Sequence, residues 1–498
     1  MTIGWFSLFT ALDLNKQNMA RLTTKRYAYI AIAGLILQLV IFKQFYPFAD
    51  YNRDSYNYIL AAISNSNYSL WPTGYSKFLH LLHRITNSDF VLTTVQYLLL
   101  EVSGFLFFIT LRQRYAPAGY ITNTLFAFLL FNPLFLYISN YVAPDSIFIA
   151  LSLLWISTLL RIIDKPAVWQ LATQAVLLLV LMTIKIQALW YPLISVVVFL
   201  QAPHWPSYRI AGIATCVFVV VIMASRASDV QASRRQTPLA AVMGWNLANN
   251  ALYLYPHIDS GKIHTSPETR SIDKIVRSHF YEAPRERITV SPLDGAYYMY
   301  AFESPLRQYW LHRLLAGKNQ TEEQVWCELA PVLADYGKEI IRKNPSAYAR
   351  YYILPNAVNY LFPKPFEWAV YNAGQQDINP VIKEWFQYKE APQCVFPRVQ
   401  GIVLFFFSAL FLMVNASFLV VAGWVITKNK LRGQHQAIRS GFILCLLFFG
   451  ATVLFSITLA PVDLTSVFFP LILYTCFVLI GAGAFATAEA TTHEQVPG

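Results

Sequence analysis

The chain of 498 residues is 56% hydrophobic and only 13% charged, with a mean hydropathy of +0.41. A soluble protein carries about a quarter charged residues, so this composition excludes an ordinary soluble enzyme and points to a polytopic membrane protein. The net charge of +11 is read by location, because on such a chain basic residues orient the spans more often than they bind nucleic acid.

Residues 1–26 are mixed, with Lys16, Arg21, Lys25 and Arg26 ahead of the first apolar run. No small-x-small cleavage site follows that run, so it reads as an anchor and not as a signal peptide. The apolar runs are continuous, which predicts helices rather than an alternating barrel. Candidate spans in chain order are 27–46, 91–111, 120–140, 146–163, 166–184, 186–203, 209–225, 401–427, 440–460 and 465–487. The 166–203 stretch is divided at Lys185 and Gln187, since a single span there would invert everything after it.

The positive-inside rule tests that division. With the N-terminus in the cytoplasm, the inner segments 16–26, 112–117, 161–165, 203–209 and 428–439 hold thirteen Lys or Arg and one acid. The outer turns 47–90, 138–145, 185–189 and 460–464 hold four basic residues and five acids. The bias predicts about 10 transmembrane helices with both termini cytoplasmic. The layout is a cytoplasmic segment 1–26, a seven-span core 27–225 and an outer domain 226–400. Three C-terminal spans at 401–487 and a cytoplasmic tail at 488–498 complete it. A bacterial inner membrane fits the compact loops.

The first outer loop, 47–90, is too long for a turn. Residues 50–64 and 75–86 predict two interfacial helices separated by the breakers Pro72 and Gly74. The 226–400 segment predicts a mostly helical domain with helices at 268–281, 297–316, 320–343 and 345–361. Cys327 and Cys394 are the two cysteines of this outer segment, and an oxidising compartment would let them pair.

Several residues could carry chemistry. Asp50 and Asp54 are four apart, so a helix would put both carboxylates on one face. Asp145 opens the fourth span after Pro144, where it also suits the helix dipole; the topology puts it on the same side as Asp54. Lys185 sits at an outer hairpin tip, and Arg234 and Arg235 follow the seventh span. These three are candidate phosphate-binding cations, with snorkelling and headgroup anchoring as the plainer explanations. Glu101, deep in the second span, reads as a neutral or paired packing group. His80 and His83 lack partners for a zinc set, and there is no HExxH or phosphate loop of the Walker type. The inner loops are too short for a nucleotide domain, so an activated substrate must come from the lipid or the outside.

The stretches "ADYNRDSYNYILAA", "WPTGYSKFLHLL" and "NYVAPDSIFIALSLL", followed by an outer domain, resemble the GT-C superfamily of polytopic glycosyltransferases. That superfamily includes protein mannosyltransferases and lipid A aminoarabinose transferases. The likeness covers residues 27–225 and, in layout, the rest. Many members carry adjacent acids near the first span; here Asp54 is followed by Ser55, and the other acid is Asp50, so either can be the catalytic one.

The resemblance implies a GT-C-like fold, a polyprenyl-phosphate sugar donor and transfer at the outer face. A sugar leaving from phosphate departs as a stable anion, so the reaction needs a base for the acceptor hydroxyl and cations for the phosphate. The expected base is Asp54, with Asp50 as the alternative and Asp145 orienting the acceptor or a metal ion. Lys185, Arg234 and Arg235 would hold the phosphate. Tyr58, Tyr75 and Trp71 could line the site, and Asn246, Asn249 and Asn250 in "GWNLANNALYLYP" could bind sugar. A divalent cation held by the separated acids stays open, and no other cofactor is required. The acceptor would be a lipid, glycan or protein, with membrane lipids as the surround and no nucleic acid. The competing expectations are a transporter or flippase, and a polymerase or ligase, of lipid-linked glycans.

Overall fold

The computed structural model describes residues 3–493 except 53, 68–70, 202–205, 235–237, 260–265, 283–289, 318–319 and 428–433. Among the described residues every regular element is helical, and the β pairing is one isolated parallel bridge between Asp50 and Tyr141.

Helix α1 (Ile3–Phe45) crosses with its apolar part, Thr24–Phe45. The first loop then folds into α2 (Ser55–Ile63) and α3 (Gly74–His83), which pack on each other. The long α4 (Asp89–Tyr115) follows, capped at its start by the Ser88 hydroxyl, which accepts from the Val91 amide. The next span bends at Asn132, whose side chain caps a fresh start at Pro133. It therefore runs as α5 (Gly119–Leu130) and α6 (Pro133–Asn140). Helix α7 (Asp145–Asp164) is the most enclosed of the early spans and packs against α4.

Helix α8 (Val168–Ile184) ends where Lys185 turns extended, at φ −143° and ψ 142°. A 3-10 turn and α9 (Tyr191–Gln201) follow, so the chain breaks where the sequence divides. The 17 residues of α8 rise about 26 Å, short of the roughly 30 Å hydrocarbon layer. Helix α10 (Pro206–Arg234) packs against both α8 and α9.

A second bundle follows, built on its own apolar core that runs from Ala241 to Tyr352. It contains α11 (Pro238–Leu252), α12 (Arg270–Glu282), α13 (Tyr297–Tyr300), α14 (Pro305–Ala316) and α15 (Glu322–Lys343). The expected helix at 297–316 breaks because Ser304 caps a new start before Pro305. Helices α11 and α15 cross closely: a Cβ at Gly244 would lie 2.2 Å from the Ala330 carbonyl oxygen. One at Gly337 would lie 2.5 Å from the Leu247 carbonyl. Glycine permits that approach.

Helix α16 (Pro345–Tyr348) passes through a π turn, Ala349–Ile353, into α17 (Leu354–Leu361). From Tyr360 to Phe386, including α18 (Pro380–Trp385), the buried side chains belong to the membrane bundle's core. The 226–400 stretch thus holds two parts, an upper bundle and a strap across the membrane helices. Trp71 packs against both cores and joins them. Three long helices close the chain: α19 (Val399–Thr427), α20 (Gln434–Leu459) and α21 (Leu464–His493).

Eight helical segments among the described residues are long and apolar enough to cross a membrane, while α8 and Ile186–Gln201 are shorter apolar helices. The expected disulfide does not form: Cys327 is buried in the upper core, whereas Cys394 packs against the membrane core. The two cysteines serve separate cores, and their shared outer placement in sequence carried no information about distance.

Candidate functional site

Four of the residues expected to act, Asp50, Asp54, Asp145 and Lys185, lie at turns or helix starts of the membrane bundle. The turn before α2 decides the fate of its two acids. The Asn52 side chain accepts from the Asp54 amide at 3.1 Å and the Ser55 amide at 3.0 Å. Asn52 therefore caps α2, and the Asp54 carboxylate makes no capping bond. Asp54 is half-buried and lines two cavities.

Asp50 and Asp54 do not share a helix face, contrary to their spacing. The Asp50 backbone is drawn into extended pairing with the α6–α7 turn: its amide donates to Asn140 O at 2.8 Å, and its carbonyl accepts from Val142 at 2.9 Å. The Asp50 side chain is 1% exposed. It accepts from the Tyr51 amide (2.8 Å), the Asn372 amide (2.7 Å) and Gln400 Nε2 (3.1 Å). Asn372 and Ala373 are left-handed, at φ 51° and 50°, a conformation that costs non-glycine residues energy. Asp50 thus pins a strained turn of the strap to the first loop. Burial pushes its carboxyl up to about 6, against the lowering effect of these hydrogen bonds.

Asp145 opens α7 and is buried, with its Oδ1 accepting from Lys185 Nζ at 2.5 Å. Lys185 also donates to Thr465 Oγ1 at 3.3 Å, and its ammonium lies 5.6 Å from the centre of the Phe148 ring. Lys185 reaches the site because its extended backbone breaks α8 from α9. Asp463, on the α20–α21 turn, faces the lower cavity and interacts electrostatically with both Lys185 and Asp145. The surrounding protein and Asp145 raise its pKa and Lys185 opposes that rise, while the side chain itself stays open to the cavity.

Tyr58 links the acids. Its buried hydroxyl interacts with Asp54, Asp145, Tyr75 and Tyr300, and burial followed by these charges holds its pKa well above the ordinary range. The phenol is neutral and lines neither cavity, so Tyr58 backs the acids and does not line the site as expected. The Tyr75 ring meets Tyr58 edge-on at 5.3 Å, and its hydroxyl donates to Gln96 Oε1 at 2.7 Å. That bond takes Tyr75 out of ligand contact and makes it a support.

The lower cavity, of about 550 Å³, is bounded by Asp54, Asn246, Tyr300, Lys364, Trp368 and Asp463. The upper cavity, of about 770 Å³, lies between α2 and the upper bundle. Asp54 and Tyr300 line both.

Of the three asparagines expected to bind sugar, Asn246 lines the lower cavity and Asn249 and Asn250 line neither. Asn249 Oδ1 accepts from the Met299 amide at 3.2 Å, and Asn250 Nδ2 donates to Leu459 O at 3.0 Å. Both are buried fasteners between α11 and its neighbours. Arg234 ends α10, and Arg235 lies outside the described residues. Glu101 is buried in α4 and lines neither cavity. His80 Nδ1 bonds Ala62 O, and His83 stacks on Trp385 at 3.6 Å, so the pair does not converge on a metal. Among the described residues, no three His, Cys, Asp or Glu side chains group as a metal site.

Sequence reasoning missed Lys364, Tyr300, Trp368 and Asp463. Asp463 carried a signal, as one of the five acids of the outer turns; the others are ordinary residues of the outer segment. No protein-family model, curated protein or solved structure matches the chain.

Proposed function

We propose that this protein is a membrane glycosyltransferase with a GT-C-like layout. It would move a sugar from a polyprenyl-phosphate donor to an acceptor hydroxyl at the outer face of a membrane, taken as a bacterial inner membrane. The observation that carries this reading is that one carboxylate, Asp54, borders both cavities, so a single base can serve two substrates held on either side. Counting α8 and Ile186–Gln201 as short spans gives ten crossings, both termini on the cytoplasmic side and every site turn on the opposite face.

The donor head would occupy the lower cavity. Ala460, Pro461 and Leu464, on the turn that joins α20 and α21, line it, so the polyprenyl tail would remain in the bilayer beside those helices. Lys364 offers the phosphate an ammonium at the cavity wall. Lys185, already paired with Asp145, would position that acid and temper the charge of Asp463. The acceptor oxygen attacks the anomeric carbon, the carbon–oxygen bond to phosphate breaks, and polyprenyl phosphate leaves with the bonding electrons. Asp54 takes the acceptor proton. One displacement of this kind inverts the anomeric centre. Asp50, enclosed and fully hydrogen-bonded, would act on the strap and not on the sugar.

Purified protein supplied with a radiolabelled polyprenyl-phosphate sugar should release polyprenyl phosphate. Asp54→Asn should lower turnover by about 10²–10⁴, the worth of a general base, with the melting temperature kept. Full turnover in Asp54→Asn would defeat the mechanism. Movement of labelled lipid across the membrane with no bond cleavage would establish the transporter alternative instead.

A further inference from the structure

We infer that α17 (Leu354–Leu361) is a lipid-contacting element, seated with its apolar side among the acyl chains of the leaflet that surrounds the Val399 end of α19 and the Leu459 end of α20. The inference is independent of the transferase reading and needs only that α19 and α20 cross a membrane.

The side chains around α17 are arranged in the reverse of a helix in water. A helix on a soluble domain buries its leucines and exposes its asparagines. In α17, Asn356 and Asn359 are fully buried, whereas Leu354, Val358 and Leu361 are 61%, 51% and 38% exposed. The exposed three recur at i, i+4 and i+7, so they share one face. The asparagines are committed to protein. Asn356 Nδ2 donates to Ile457 O and Ala460 O at 2.9 Å, and its Oδ1 accepts from the Val462 amide at 2.7 Å. Asn359 Nδ2 donates to Val462 O. Amides turned inward to bond a neighbouring helix, with aliphatic groups turned outward, are the pattern that a lipid surround selects.

Position agrees with polarity. Near its start α17 meets the last turn of α20, through Asn356 and Ile457. Near its end it lies against the interior of two spans: the Tyr360 ring meets Phe411 of α19 at 5.8 Å and Phe449 of α20 at 6.5 Å, both edge-on. Phe362, just past the helix, packs edge-on against Phe405 at 5.5 Å. Phe405 lies six residues into α19, about 9 Å along its axis. The chain then returns, because the Trp368 carbonyl accepts at 3.0 Å from Gln400 Nε2, in the first turn of α19. Residues 354–368 therefore dip along the bundle and come back, and protein satisfies their polar groups from one side, as backbone at membrane depth requires. The Phe362–Phe405 contact makes the outer face of α17 continuous with that of α19, where Ile402, Phe405 and Phe406 are also exposed. A span's exposed apolar face is covered by lipid, and the same cover extends over α17. Lys364 lines the lower cavity, so its ammonium need not enter the acyl layer. Arg350, exposed one turn before Leu354, is placed to meet the lipid phosphates.

The test puts a nitroxide label on the full chain in lipid nanodiscs, on a Cys394→Ser background, through Leu354→Cys, Val358→Cys or Leu361→Cys. Oxygen concentrates among acyl chains and a nickel chelate stays in water, so the ratio of their collision rates reports what surrounds the label. Ile402→Cys on α19 is the lipid reference, and Arg342→Cys, exposed on α15, is the water reference. The three α17 labels should give the ratio of the lipid reference. The ratio of the water reference would put this face in solvent and overturn the inference. Low collision with both reagents would show the face covered by protein, a second copy or another chain, and would also overturn it. Val358→Asp gives a second reading. On a helix in water such a surface exchange is nearly neutral. Against acyl chains it should disfavour the folded state about tenfold or more, read as a fall in melting temperature, and an unchanged melting temperature would overturn the inference.

Discussion

Replacing Lys185 with methionine probes the charges beneath the lower cavity. The Lys185 and Asp145 side chains are 12% and 5% exposed and 2.5 Å apart. An exposed pair would contribute about 0–1 kcal/mol, whereas removing one member of a buried pair costs about 3–5 kcal/mol, because the other charge is stranded. The burial of both side chains selects the larger figure. Two neighbours adjust it in opposite directions. The amino terminus of α7 still favours Asp145, by about 0.3–1 kcal/mol, while Asp463 repels it. Methionine keeps an unbranched stem beside Phe148, so lost packing adds little. Lys185→Met should therefore destabilise the protein by about 3–4 kcal/mol, and adding Asp145→Asn should recover most of that loss by removing the stranded charge. Thermal unfolding of both variants in nanodiscs, followed by tryptophan fluorescence, makes the comparison. If the single and double variants melt together at the wild-type temperature, the pair contributes nothing and its burial has been misread. If the double variant stays as unstable as the single, the cost lies in packing and not in charge.

Asp50 predicts a pH effect. Its carboxyl rises from the ordinary 3.8 to about 6 on folding, so the folded protein keeps a proton that the unfolded chain has released between those values. Stability should be greatest below that window and fall as pH rises through it, by roughly 3 kcal/mol in all. Asp50→Asn should flatten the dependence of melting temperature on pH there, and an unaltered slope would contradict the assignment. Gly337→Ala places a methyl 2.5 Å from the Leu247 carbonyl, overpacking that should cost about 1–3 kcal/mol and speed proteolysis of the upper bundle. Unchanged protease resistance would argue against the close crossing of α11 and α15. Asn356→Leu removes the acceptor of the Val462 amide, bonded at 2.7 Å, and an unsatisfied buried amide costs about 1–3 kcal/mol. Hydrogen exchange around Val462 should accelerate, and unchanged protection would refute that role.

Periodicity and capping made most of the architecture legible. The break at Lys185 was visible because one span across 166–203 would have misplaced every later basic loop. The helix at 322–343 was legible because Thr321 announces its start locally, whereas the fresh start that Ser304 caps was passed over within the expected 297–316 helix. What stayed hidden depends on partners far along the chain. Asp50 looked like Asp54 in sequence; what separates them is pairing with residues 140–142 and bonds to Asn372 and Gln400, over 300 positions away. Asn249 and Asn250 presented the same amide groups that bind sugars, and nothing nearby told that backbone groups of other helices would occupy them. Lys364 and Tyr300 had no motif at all, since a cavity wall is a property of the assembled fold.

The grip of α17 on the turn between α20 and α21 has a mechanical consequence. Asn356 Nδ2 donates to Ile457 O and Ala460 O, both at 2.9 Å, and Asn359 Nδ2 donates to Val462 O. These bonds fasten the residues just before Asp463, so α17 holds that acid's turn as a lever holds a pawl. Lys185 is anchored elsewhere, on the break between α8 and α9. The spacing of Asp463 and Lys185 is therefore set by two separate anchors, one on α17 and one on the α8–α9 break.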